Sequence, residues 1–381
     1  MRINIVLLAG LALALAACTA HKTEQGFFVA KLGDDTLAVE SYQVEGNSIQ
    51  GTSVVRSPKT TMRYYSMTFN SDGLPESFSL KTGPPDGGSQ IVRDYRYYDD
   101  SIAVVTTQNG NSKTSTAKVS GRPYPFFANI YGIWDYAVHH ALEAKGAKEF
   151  SVLFGNRALK YTVQGTAPGK IELDNPDHDF GPLEATVDSD GVLDRFDLTA
   201  TTDKYVANRT SSLNVDAMAK EYAALEQAGH GVGVLSPRDT ARVTIDHASI
   251  LVDYGRPEMR GRTIFGNVVP WNEVWRLGAN AATQLVTNKR LAFGRTIVLP
   301  GTYSLFAYPA EKGWKLIINY QHGQWGTVYH ASRDLARLPL RTEHLKNPVE
   351  QFTFHIEGRG KKGVLSFKWE KTEESIPFTV R

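Results

Sequence analysis

Apolar residues alternate strictly with polar ones in four runs toward the C-terminus: Ile250, Val252, Tyr254; Phe352, Phe354, Ile356; Leu365, Phe367, Trp369; and Ile376, Phe378, Val380. Successive side chains of a strand point to opposite faces, so a period of two means one dry face and one wet face per strand. Each dry face must be covered, and with four such strands the pattern predicts a β-sandwich for this part of the chain. The same alternation recurs earlier. Met67 and Phe69 precede the turn Asn70-Ser71-Asp72-Gly73, and Phe78 and Leu80 follow it. Residues 29–119 therefore read as antiparallel β-structure broken by Gly, Pro and Asn turns.

One segment departs from this period. Ile130, Trp134, Ala137, Val138 and Ala141 recur at helical spacing, which predicts an amphipathic helix near residues 126–145, ended by Gly146 and covering one face of the sheet. Strands are expected to resume over 150–154, 159–163, 170–173, 183–187, 194–199 and 205–209. Asp216 can cap an Ala-rich helix over 217–228, and Gly229-His230-Gly231-Val232-Gly233 ends it. The expected fold is mainly β. A curved sheet or half-barrel with one covering helix (29–215) is joined by a short helical and glycine linker (216–235) to a β-sandwich (236–381).

The N-terminus constrains location. Arg2 precedes an apolar run over residues 5–15, too short to span a bilayer as a stable helix, which is the pattern of a secretion signal. Its last residues, Leu15-Ala16-Ala17-Cys18, closely resemble the lipobox of bacterial lipoproteins. The resemblance implies cleavage after residue 17, acylation of Cys18, a tether over 18–28 and anchoring to a membrane. Thr19 follows the cysteine, where Asp commonly retains such proteins at the inner membrane, so the resemblance implies the outer membrane of a two-membrane bacterium. Cys18 is the only cysteine, so no intramolecular disulfide can form. A net charge of +2, without a block of like charge, argues against nucleic acid as a partner.

The second half carries a further resemblance. Ser236-Pro237, Tyr254-Gly255-Arg256-Pro257, the run Arg260 to Gly266, Val269-Pro270-Trp271, the run Trp275 to Thr283, Pro300 to Phe306, and Trp325-Gly326 occur in the order found in a bacterial domain-of-unknown-function family, number 2911 (DUF2911). It implies an envelope β domain over about residues 235–381 and brings no activity with it. In the first half, Asn175 to Phe180 resembles a six-residue run of some lipocalin-like domains, which carry Glu at the place of Asp177 and Pro at that of Gly181.

Three constellations carry chemistry. Arg256, Arg262, Trp271, Trp275, Arg276 and Asn280 crowd a Gly- and Pro-rich segment, and their forks, stacking faces and amide suit a sugar or an anionic small ligand. Alternatively they lock a long loop, with Arg276 bonding backbone carbonyls and Trp275 filling the core. His178 between Asp177 and Asp179 has the residue types of a general base or of one metal ligand, or of a turn. Asp135, His139 and Glu143 stand at i, i+4 and i+8 on the helix, opposite its apolar stripe, either near a metal or on a solvated face. No nucleophile elbow, HExxH or phosphate loop occurs. No cofactor or metal is implied.

The function expected is binding: a hydrophobic ligand in the first domain, lined by Trp134 and Phe127, and a glycan or protein partner at the Arg/Trp loop. A hydrolase of envelope glycans or esters using His178, and a structural scaffold, are the alternatives. Replacing Cys18 by Ser tests the anchor. The variant is expected in the soluble fraction of lysed cells and lighter by the acyl chains, as measured by detergent partition and intact mass.

Overall fold

The computed structural model describes residues 24–177 and 182–381, so Cys18, His178 and Asp179 lie outside the described residues. The first half builds one sheet from β1 (Glu24–Leu32), β2 (Asp35–Glu45), β3 (Ser48–Val55), β4 (Thr61–Phe69), β5 (Pro75–Gly83), β6 (Ile91–Tyr97), β7 (Ser101–Gln108) and β8 (Asn111–Lys118). It continues through β9 (Tyr124–Pro125), β10 (Glu149–Phe154), β11 (Arg157–Ala167), β12 (Lys170–Asp174), β13 (Leu183–Val187), β14 (Leu193–Asp197) and β15 (Val206–Arg209). Two meanders run outward from β1 and back to it, giving 15 strands in the order β8 to β1, then β15 to β9. β15 meets β1 antiparallel, with Ala30 opposite Ala207. Among the described strands of this sheet β9 and β10 alone pair in parallel, because helix α1 (Tyr131–Glu143) forms the crossover between them.

That helix covers the inner face of the sheet, as its apolar stripe predicts. It touches β2 and β3 of one arm and β9, β10, β11 and β14 of the other. The arms therefore curl around it. At their far ends Tyr97, Ile102 and Ala117 pack against Leu153 of β10, yet β8 and β9 do not pair, so the roll stays open. Trp134 sits among Phe126, Phe150, Tyr161 and Phe196, and Phe127 lies against Phe78 and Tyr95.

The first turn of this helix, Tyr131 to Trp134, is buried, so its polar groups must be satisfied internally. Glu40 of β2 is fully buried beneath its N-terminus. Its carboxyl accepts from the Tyr131 amide at 2.5 Å, the Gly132 amide at 3.2 Å and the Tyr65 hydroxyl at 2.7 Å. One turn on, Asp135 accepts from Tyr42, from the Arg209 guanidinium and, at 2.6 Å, from the Leu193 amide. The expectation that Asp135 stands on a solvated face with His139 and Glu143 is thus corrected. The curl of the sheet removes solvent from Asp135 alone; His139 is half-buried and Glu143 exposed, 3.5 Å apart, on the solvated face that was expected. Glycine makes the approach possible. A Cβ would fall 2.2 Å from the Tyr42 ring at Gly26, 2.5 Å from the Tyr65 ring at Gly51 and 2.5 Å from the Tyr65 hydroxyl at Gly132.

Helix α2 (Val215–Gln227) lies on the outer side, with Val215, Ala219 and Tyr222 over Val39, Val54 and Met62. Asn214, not Asp216, caps it, accepting from the Ala217 amide at 3.0 Å. Asn214 is the residue outside the first turn, where a cap must stand, whereas Asp216 is already helical.

The second half contains β16 (Arg238–Ile245), β17 (Ala248–Gly255), β18 (Thr283–Thr287), β19 (Leu291–Phe293), β20 (Thr296–Val298), β21 (Gly301–Tyr308), β22 (Lys315–Asn319), β23 (Asp334–Pro339), β24 (Arg341–Arg359) and β25 (Lys362–Val380). A six-stranded sheet (β16-β17-β18-β21-β22-β23) packs on a four-stranded one (β20-β19-β25-β24) as a sandwich. The alternating residues meet in its core, where the Tyr254 and Phe354 rings stand 5.0 Å apart. This core shares no residue with that of the roll.

Two substitutions probe the polar frame. Asp135→Ala leaves the Arg209 charge half-buried and unpaired, and is expected to cost about 3 kcal/mol in urea unfolding. Burial raises the Glu40 carboxyl from 4.5 to about 7. A raised acid pKa means that the folded state holds a proton the unfolded chain has released, so stability falls as pH rises from about 4.5 to about 7 and is level above. Glu374 titrates in the same window, also raised to about 7 by burial, so the difference between proteins is what reports on Glu40. Between pH 4.5 and 7.5 the wild type is expected to lose on the order of 3 kcal/mol more than Glu40→Gln, whose amide oxygen can still accept at the helix start.

Candidate functional site

The segment between β17 and β18 has no regular structure, and its course is set by left-handed residues. Arg260, Asn272, Leu277 and Asn280 all have positive φ, as do Gly261, Gly266 and Gly278. Asn tolerates this conformation, but Leu277, buried at φ 49°, does not adopt it freely. Strain of about 1 kcal/mol or more is held there by a bond from Thr283 Oγ1 to the Leu277 carbonyl at 2.6 Å. Strained loops of this kind concentrate at binding and catalytic sites.

The six residues expected to act together have separate tasks. Arg256 is a staple, donating to the Phe352 carbonyl at 3.2 Å, to Asp239 at 2.9 Å and to Thr353 at 2.9 Å. Arg262 is another, bonding the Met259 and Glu258 carbonyls at 2.9 and 2.6 Å. Trp271 packs in the aromatic cluster, 6.1 Å from Phe265 and 6.2 Å from Trp314. Trp275 exchanges backbone bonds with Ala307 and stacks on Trp369 at 5.8 Å. Asn280 turns the chain, its carbonyl accepting from Gly326 at 2.9 Å. Arg276 is the exception. Its Nη1 is buried and has no hydrogen-bond partner among the described residues.

Arg276 lines a cavity of about 620 Å³ between the roll and the sandwich, together with Arg262, Trp275 and Asn280. The roll contributes Leu32 from the end of β1 and the loop over residues 200–204. That loop is wound tightly: the Leu198 carbonyl accepts from the Thr201 amide at 3.0 Å, the Thr201 hydroxyl at 2.7 Å and the Lys204 amide at 3.2 Å. It brings Asp203 and Lys204 to the cleft, with Lys204 at φ 59°. Burial raises the Asp203 carboxyl and lowers the Arg276 guanidinium, each partly offset by the other's charge. Lys204 is lowered by burial and then by the charges of Arg276 and Arg262, with Glu273 acting in the opposite direction. Among the described residues, none of Lys204, Arg262 and Arg276 has a carboxylate within ion-pair distance.

Two residues from Arg262 in the cavity wall, Arg260 joins the two halves. Its side chain is 6 % exposed and pairs with Asp35 of the roll and, at 2.6 Å, with Glu258. Its carbonyl accepts from the Asp34 amide at 3.0 Å. Gly33 is required beneath it, since a Cβ there would fall 1.9 Å from that carbonyl. Arg260, Asp203 and Lys204 were not singled out in the sequence. Thr201 to Lys204 resembles any polar turn, and its partner lies more than seventy residues away.

Asp177 forms an exposed turn, its amide donating to Asn175 Oδ1 at 2.8 Å and its carboxylate 3.7 Å from Arg157. Among the described residues no three His, Cys, Asp or Glu side chains converge on a metal position.

The fold and the cleft define a class: a β-roll with a buried central helix, joined to a β-sandwich across a charged cavity. Within it, residues 236–378 match a protein family of unknown function, DUF2911. No curated protein matches the chain. Among solved structures, a DUF1089-family protein from Pseudomonas aeruginosa is similar at 10 % identity with a TM-score of 0.32, covering 50 % of this chain and 95 % of its own.

Arg260 and Arg276 should behave oppositely on truncation. Arg260→Ala removes a buried charge from two carboxylates and is expected to cost about 3 kcal/mol, no more, because Asp35 is 40 % exposed. Arg276→Met removes an unsatisfied buried donor and is expected to leave stability unchanged or raise it by about 1 kcal/mol, read from urea unfolding.

Proposed function

We propose that this chain is a lipid-anchored cell-envelope protein whose cleft between roll and sandwich binds a small anionic or glycan-like ligand. One observation carries the reading: Arg276 holds a buried, unpartnered Nη1 on the wall of a cavity large enough for a small molecule. A buried donor without an acceptor is costly, and a site that keeps one is arranged for an acceptor supplied from outside. Lys204 and Arg262 on the same cavity, without ion pairs among the described residues, would suit a carboxylate, phosphate or sulfate. The lipobox resemblance supports the location.

The two places first considered for a ligand or for catalysis have less support. Trp134 and Phe127 are packed against other aromatic rings of the core, and Asp177, the described member of the 177–179 group, is exposed on a turn.

Native mass spectrometry of the protein extracted from its own membrane tests the reading. A small-molecule adduct released on gentle activation is expected for the wild type and absent from Arg276→Met. A clean lipidated mass for both proteins, or an adduct indifferent to Arg276, would sink it.

A further inference from the structure

The wall facing Arg276 belongs to the other half of the protein, and it presents a cation of its own. We propose that Lys204 completes the site, so that one oxyanion of a small soluble ligand bridges Lys204 Nζ and Arg276 Nη1 and thereby ties the roll to the sandwich. The inference rests on the cleft being the binding site, and adds the second anchoring residue, the ligand's chemistry and a mechanical consequence.

Three observations support it. Lys204 is held in the left-handed region, where a non-glycine residue is strained, by a loop closed on the Leu198 carbonyl. Such strain persists only where its surroundings over-determine it, and here its effect is to direct a cation to the cavity. Next, Nζ donates one bond, to the Thr199 carbonyl at 2.9 Å, which leaves two of its three donors for a ligand. Finally, Lys204, Arg276 and Arg262 line one cavity, and the two guanidiniums disfavour the lysine's charge; Asp203 and Glu273 on the same cavity offset part of this, but among the described residues none of the three cations has a carboxylate within ion-pair distance. An oxyanion between them relieves that repulsion and satisfies the orphaned Nη1.

The bridge has a mechanical meaning because the covalent link is slight. Residues 228–233 follow α2 without regular structure and are mostly exposed, with Gly229 and Gly233 at positive φ. Arg260 clasps the sandwich to Asp35 of the roll and bonds the Val232 carbonyl of the linker. An anion held by Lys204 and Arg276 would be a second clasp, present only with ligand.

Isothermal titration of inorganic phosphate, and separately of succinate, into the full-length wild type, Lys204→Met, Lys204→Arg and Arg276→Met tests this, with circular dichroism to verify folding. At least one anion is expected to bind the wild type, with either Met variant weakened about tenfold or more and Lys204→Arg within about threefold, since a point charge suffices at this position. Which anion binds separates a phosphate from a carboxylate ligand. Hydrogen exchange over residues 228–236 should slow on binding in the wild type and not in Lys204→Met. If Lys204→Met binds as the wild type does while Arg276→Met fails, the role of Lys204 is refuted and the cleft reading stands. If neither anion binds, or both bind without regard to either residue, the inference and the cleft reading fall together.

Discussion

A carboxylate with no access to water fixes the first half of this protein. Glu40 lies beneath the first turn of α1 and takes up amides that a buried helix start would otherwise leave unsatisfied. Asp135, one turn later, does the converse. It extends from the helix to the sheet and draws in Tyr42, Arg209 and the Leu193 backbone. These partners come from β2 on one side and from β14 and β15 on the other, across the β1–β15 seam where the two meanders join. The helix is therefore the axle to which both arms of the sheet are pinned, and the seam stays in register because its side chains share one acid. Such a network is stabilising only when complete, since each member removed leaves another buried and unpaired.

The same logic operates between the two halves with less redundancy. Arg260 is the buried charge there, and it links the β1–β2 turn to the irregular segment of the sandwich. Beside it the cavity contains charges that are not matched one to one. Glu40 and Asp135 in the roll are fully partnered whereas Arg276 in the cleft is not, which is the contrast expected between a structural element and a site awaiting a ligand.

Much of the architecture was legible in the sequence because it depends on local periodicity. Ile250, Val252 and Tyr254 face Phe352 and Phe354 as their alternation requires, and α1 appears where Ile130, Trp134, Ala137 and Ala141 mark it. What could not be read was anything that depends on curvature. Whether Asp135 meets solvent or a second arm of sheet is decided by how far the sheet curls, and no window of residues records that. The single Asp at the helix centre looked like the start of a polar face for the same reason that Arg276 looked like a staple. Each is a polar residue whose partner, or whose want of one, is set by elements far away in the chain. Glycine left a fainter trace. Gly26, Gly51 and Gly132 are unremarkable in their segments, and acquire meaning only once Tyr42 and Tyr65 are seen above them.

β1 begins at Glu24, six positions after the cysteine proposed to carry the acyl chains, and ends at Leu32, which lines the cleft. The same strand pairs with β15 along the seam of the roll, Ala30 opposite Ala207. The cavity wall at Leu32 is thus the continuation of the seam on which both meanders depend, two residues beyond that pair. Whatever occupies the cavity rests against the strand that the roll is least free to move.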